Sequence, residues 1–82
     1  MHKHITIEVG IDEDDAHTLV HATLDLRGDH FDATGRAMRN PSDRSVPVIG
    51  EEIALARALG SLEEQLMDRA YARIEGTHSL VT

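Results

Sequence analysis

The chain has 82 residues, 40% hydrophobic and 28% charged, with no cysteine and a formal net charge of −7. That describes one small globular domain whose core is thin, since chains of this size bury only about 60% of their unfolded surface. Disulfides and thiolate metal sites are excluded, which leaves oligomerisation as the expected source of extra stability. A net-acidic protein is also repelled at long range by phosphate backbones, so any nucleic-acid contact must be local and salt-sensitive.

The N-terminal MHKHITIEVG has no apolar signal-peptide core, and no apolar run approaches a membrane span. The expectation is a cytoplasmic protein without a membrane partner. In HITIEVGI, Ile5, Ile7, Val9 and Ile11 alternate with Thr6, Glu8 and Gly10, the period of a strand with one buried face, over about 4–11. Asp12-Glu13-Asp14-Asp15 interrupts it. This run lacks the alternation and central glycine of an EF-hand and reads as a solvated hairpin tip.

A second strand is expected over about 18–26, with Val20, Ala22, Leu24 and Leu26 opposite His21, Thr23 and Asp25. Arg27-Gly28-Asp29 is then a glycine turn. The third strand, about 30–39, places Phe31, Ala33, Gly35 and Ala37 on the core face and Asp32, Thr34, Arg36 and Met38 on the other. Three short strands joined by tight turns form an antiparallel meander.

Pro41 and Pro47 cannot continue a sheet ladder, so residues 40–49 are a connector. Gly50 serves as a helix N-cap, with Glu51 and Glu52 in the first turn, and the helix runs over about 50–75. Ile53, Ala56, Leu59, Leu62, Leu66, Met67, Ala70 and Ile74 share one side of it, and Leu55 widens the arc to about half the circumference. One sheet face needs less than that, so a second surface is expected to pack there. Gly60-Ser61 is the weak point, because Ser61 with Glu64 also fits a capping box. The fold class is therefore α+β, in the order β-β-β-α.

Charge is uneven. Residues 1–34 set two cations against eight acids and residues 49–82 set three against six, whereas residues 35–48 carry Arg36, Arg39 and Arg44 against Asp43 alone. The only net-basic segment is thus the end of the third strand and the connector. Asn40, Pro41, Asp43, Pro47 and Gly50 there are ordinary turn and cap chemistry. Arg57 lies off the main apolar face, within reach of a carboxylate such as Asp43 or Glu64, in a structural role.

The segment GRAMRNPSDRSVPVIGEEIALARAL resembles the signature of a small actinobacterial family of unknown function. The family pattern is close to G-x-A-x-x-N-P-x-D-R-x-V-P-x-I-G-[DE]-E-[LI]-A-x-A-R-A-L. Gly35, Ala37, Asn40, Pro41, Asp43, Arg44, Val46, Pro47, Ile49, Gly50, Glu52, Ala54, Ala56, Arg57, Ala58 and Leu59 match it. The resemblance implies a fold related to double-stranded-RNA-binding domains, usually as an intertwined homodimer. It also implies an association with dormancy and stress, and a likeness in outline to ribosome-hibernation factors.

The residues themselves qualify that implication. A helix opening on Glu51 and Glu52 is unsuited to duplex-RNA phosphate, and Phe31 and Tyr71 are the only aromatics, so no stacking platform exists. Arg36, Arg39 and Arg44 remain as candidates for contact with rRNA phosphate, against solvated arginines paired with nearby acids. His2 and His4 share a strand face but lack a third ligand, so no metal site is assigned. No catalytic motif or cofactor loop is present. The expectation is a non-enzymatic, homodimeric stress protein that associates with the ribosome or its RNA. Two alternatives stay open: a protein-interaction module acting through the dimer groove or a sheet edge, and a small-ligand or metal-binding protein.

Overall fold

The computed structural model describes residues 1–81, and side chains as far as residue 77. Three strands, β1 (Glu8–Glu13), β2 (His17–Leu26) and β3 (Asp29–Met38), precede one long helix, α1 (Pro47–Val81). The sheet is antiparallel in the order β1-β2-β3, as the alternation of the three runs requires. The strand-to-strand register puts Val9 opposite Ala22 and Ile11 opposite Val20, with Ala22 opposite Ala33 and Val20 opposite Gly35 in turn. Directly opposed residues share a sheet face, so these residues all point toward the helix side.

Both hairpins are closed by local chemistry. At the first, the Asp14 carboxylate accepts hydrogen bonds from the Ala16 and His17 amides, each 2.8 Å, and Asp14 N–H donates to the His17 carbonyl at 2.9 Å. β1 therefore continues to Glu13, two residues further than its alternation suggests, because solvated acids do not interrupt a ladder whose turn lies beyond them. At the second, Leu26 pairs with Asp29 across a two-residue loop in which Arg27 and Gly28 both have positive φ, 51° and 86°. Those angles define the type I′ turn whose twist matches a hairpin.

The helix departs from expectation in its start and its facing. It begins at Pro47, not Gly50, because proline fits the first helical position where no N–H is needed. Ile49 N–H donates to the Val46 carbonyl at 3.0 Å. Glu51 and Glu52 consequently fall beyond the first turn. Gly60-Ser61 does not break the helix.

The sheet-facing residues are Ala54, Ala58 and Leu62, all buried, with Leu55 and Leu66 half-buried beside them. Of the eight residues expected on that face, Ile53, Ala56, Leu59, Met67, Ala70 and Ile74 are exposed instead. The cause is Gly35. A Cβ there would fall inside the Ala54 carbonyl oxygen and 2.5 Å from the Ala58 nitrogen, so the helix backbone lies almost directly on β3. Small residues on the helix and a glycine on the strand permit the closest approach, and that decides the facing against the larger side chains. The core divides into two clusters along this line: Val20, Ala22, Ala54 and Ala58, then Leu24, Phe31, Ala33 and Leu62.

β1 is left outside this core. The alternating row expected to be buried is exposed, with Ile7 at 38% and Val9 and Ile11 at 44%. The Val9 and Ile11 side chains point to the helix side of the sheet, but the helix lies over β2 and β3. Ile5 and Ile7 also precede the strand itself.

Candidate functional site

The three connector arginines have separate settings. Arg39 is a structural clamp: its Nε donates to the Asp15 carbonyl at 3.0 Å, and its Nη1 donates to the Asp43 carbonyl at 2.7 Å. Its own amide donates to the Ala16 carbonyl at 2.7 Å. One side chain thus ties the connector to the first hairpin. Arg36 projects from the open sheet face, opposite Leu19, and Arg44 is exposed on the connector. Among the described residues neither guanidinium makes a hydrogen bond.

Asn40 builds the turn that follows. Its Oδ1 accepts from the Ser42 amide at 3.1 Å and from the Ser42 hydroxyl at 3.0 Å, while its carbonyl accepts from the Asp43 amide at 2.9 Å. Gly50 sits against Thr18, where a Cβ would meet the threonine Oγ1 at 2.8 Å. Asn40, Pro47 and Gly50 therefore serve the connector structurally. Arg57 does not reach Asp43 or Glu64 as the sequence suggests. Its Nη1 donates to the backbone carbonyl of Arg36 at 2.6 Å, because the close approach at Gly35 brings this part of the helix alongside β3.

That bond has a parallel. Gln65 Nε2 donates to the Asp32 carbonyl at 2.8 Å, so two helix side chains occupy outward carbonyls of β3. Unpaired strand edges template the addition of other strands, and here the β3 edge is covered. Further along, Arg69 and Arg73 both pair with Asp29, and the Arg69 guanidinium lies 5.8 Å from the Phe31 ring centroid. These contacts hold the middle of the helix to the second hairpin.

Between the first hairpin and the connector lies an open cleft of about 700 Å³, with Ala16, Met38, Arg39, Val46 and Ile49 among its lining residues. Glu13 at its rim has its carboxyl held above the usual range by a hydrogen bond to Glu51, by partial desolvation and by repulsion from that second acid. Among the described residues no group of three metal-ligating side chains comes together. His30 is hydrogen-bonded to Asp25 at 2.7 Å, which raises its basicity, and both side chains are exposed.

Exposed apolar residues lie elsewhere. Val9 and Ile11 form a bare strip on the helix side of the sheet, Ile7 is exposed just before it, and Val48, Ile49, Ile53, Leu59 and Met67 are exposed on α1. The sequence signalled this surface through the excess width of the helix arc. The bareness of β1 was not visible in it, because alternation shows which residues share a face and not whether a second layer reaches them.

Fold and site define a small α+β protein with one covered sheet edge, a clamped connector and an uncovered apolar strand. A family model described as Rv2632c-like matches residues 3–81, and the chain belongs to that family. It is 38% identical over 77 residues to the uncharacterized protein Mb1767 of Mycobacterium bovis, covering 93% of this chain and 82% of the relative. It is 40% identical over 77 residues to the uncharacterized protein Rv2632c of Mycobacterium tuberculosis, covering 93% and 83% respectively. The crystal structure of Rv2632c superposes with a TM-score of 0.87 at 36% identity, covering 94% of this chain and 92% of that one. These relatives agree with the actinobacterial resemblance in the connector.

Proposed function

We propose that the protein is a non-enzymatic, homodimeric interaction module of the cytoplasm whose uncovered apolar strip is its self-association surface. The observation that carries this is Val9 and Ile11 of β1, which face the helix layer without being reached by it, with Ile7 exposed just before the strand. A row of this kind beside exposed helix residues marks an association surface. The charge balance of −7 favours a protein partner over a polyanion. No described helix is long and apolar enough to cross a membrane.

A second reading follows the family resemblance: a dsRBD-like stress or dormancy protein that contacts the ribosome or rRNA. Arg36 and Arg44 favour it, their guanidinium groups being exposed and without hydrogen-bond partners among the described residues. Arg39 does not, because its guanidinium already holds two backbone carbonyls.

Co-sedimentation with actinobacterial ribosomes separates the two. The interaction-module reading predicts that wild-type protein and an Arg36→Glu/Arg44→Glu variant behave alike at low and high salt. Binding that falls steeply with salt and is lost in the variant would establish the ribosomal reading in its place.

A further inference from the structure

Where the helix crosses β3 closely at Gly35, it delivers a second cation to the neighbourhood of the first. Arg57 Nη1 donates to the Arg36 carbonyl at 2.6 Å, which anchors one guanidinium against the backbone of the residue that carries another. Arginine stays charged at any physiological pH. Among the described residues neither Arg36 nor Arg57 is ion-paired with a carboxylate. In the row that crosses the sheet here, Leu19 separates Arg36 from Asp12, so that acid lies two strand spacings away, roughly 9.5 Å. Asp14 is engaged by the Ala16 and His17 amides and by the His17 ring. Fifteen acids outnumber eight lysines and arginines in this chain, yet these two cations are left without one.

A pocket of about 450 Å³ opens between them, with Thr18, Leu19, Ala37 and Met38 lining it beside the two arginines. That volume is in the range of small-molecule sites, and the lining surface is mostly apolar. Met38 is 75% exposed, and an unbranched thioether side chain adapts its shape to what it covers. We infer that this pocket binds a small carboxylate with an aliphatic body. The carboxylate takes a paired hydrogen bond from Arg36, whose guanidinium is free, and a further one from the donors of Arg57 that the Arg36 carbonyl leaves over. The aliphatic body lies on Leu19 and Met38, which removes apolar surface of both partners from water. Charge favours a monoanion over a phosphate, because a net charge of −7 repels a ligand in proportion to its own charge. A polyanion meets that repulsion along its whole length, and its backbone leaves the apolar lining uncovered. The site is built from β2, β3 and the helix, apart from the bare Val9 and Ile11 of β1, and does not depend on self-association through them.

Titration of isotopically labelled protein with octanoate, followed by amide NMR, tests the assignment. Saturable shifts are expected at Leu19, Ala37 and Met38. Octanol, which keeps the aliphatic chain and lacks the charge, is expected to bind about tenfold more weakly, the effect of losing a charged hydrogen bond. Inorganic phosphate, which lacks the aliphatic body, is expected to bind more weakly still. Arg36→Gln is expected to weaken octanoate about tenfold, and it leaves in place the backbone carbonyl that Arg57 uses, so the fold is kept. Arg44→Gln, on the connector, is expected to leave octanoate binding unchanged. Equal affinity for octanoate and octanol, or an unchanged affinity in Arg36→Gln, would overturn recognition of the carboxylate. Phosphate binding as tightly as octanoate would overturn the apolar half of the proposal. Shifts confined to Val9 and Ile11, or no saturable shift with octanoate, would overturn the site itself.

Discussion

Gly35 is the residue on which the helix position turns. Its missing side chain lets the Ala54 carbonyl and the Ala58 amide of α1 rest on β3, and the obstruction to any Cβ is backbone, which cannot rotate away. Gly35→Ala is expected to destabilise the fold by about 3 kcal/mol, the upper range of overpacking, in urea unfolding. A loss under about 1 kcal/mol would place the helix farther from the sheet. Asp14 and His30 set opposite pH signatures. Backbone amides of Ala16 and His17 hold the Asp14 carboxyl below its ordinary value of 3.8, so its stabilisation is present above that value and lost as pH falls through the lower folded value. Hydrogen bonding to Asp25 holds His30 above its ordinary value of 6.5, so its contribution is full below 6.5 and lost as pH rises through the higher folded value. Asp14→Ala should therefore cost stability at pH 7 but not in strong acid. His30→Ala should cost stability at pH 5 and not at pH 9. The reverse dependence in either variant would contradict the assigned contacts. Arg39 and Arg57 illustrate what sequence reading misses at this scale: both are surface cations by composition, yet both bond backbone carbonyls that only the folded chain brings near.

Among the elements, the second hairpin carries a local conflict. Arg27 holds a left-handed conformation that costs an ordinary side chain about 1 kcal/mol. Asparagine tolerates it at the first position of a type I′ turn, so Arg27→Asn is expected to raise stability by up to about 1 kcal/mol, with no gain if the loop relaxes to another turn. In the helix, Gly60 is continuous with its neighbours and a Cβ there meets nothing within 4 Å. Gly60→Ala should stabilise by about 0.5–1 kcal/mol, and a loss would show that this position is a bend or a close contact. β2, β3 and the helix were legible because alternation and the 3.6-residue period are properties of consecutive residues. The helix facing was not. Large apolar residues dominate such a pattern, whereas Ala54, Ala58 and Gly35 decide the contact by being small. The true start at Pro47 was likewise obscured by the acidic pair at Glu51-Glu52, which resembles a first turn but lies beyond it.

For the whole molecule, the consequence of that facing is an apolar remainder. A helix laid on β2 and β3 leaves β1 bare and its own far side exposed, and among the described residues no further element covers them. The excess width of the helix arc pointed to this remainder in the sequence, while the clamped β3 edge and the open β1 edge needed the fold to be seen. The central claim is that the bare strand is covered by self-association, and the most direct measurement is molar mass by light scattering across a concentration series. Wild-type protein is expected to approach twice the 9.0 kDa chain mass, and Val9→Asp/Ile11→Asp to remain near 9.0 kDa. A wild-type mass of 9.0 kDa at every concentration, unchanged in the variant, would contradict it.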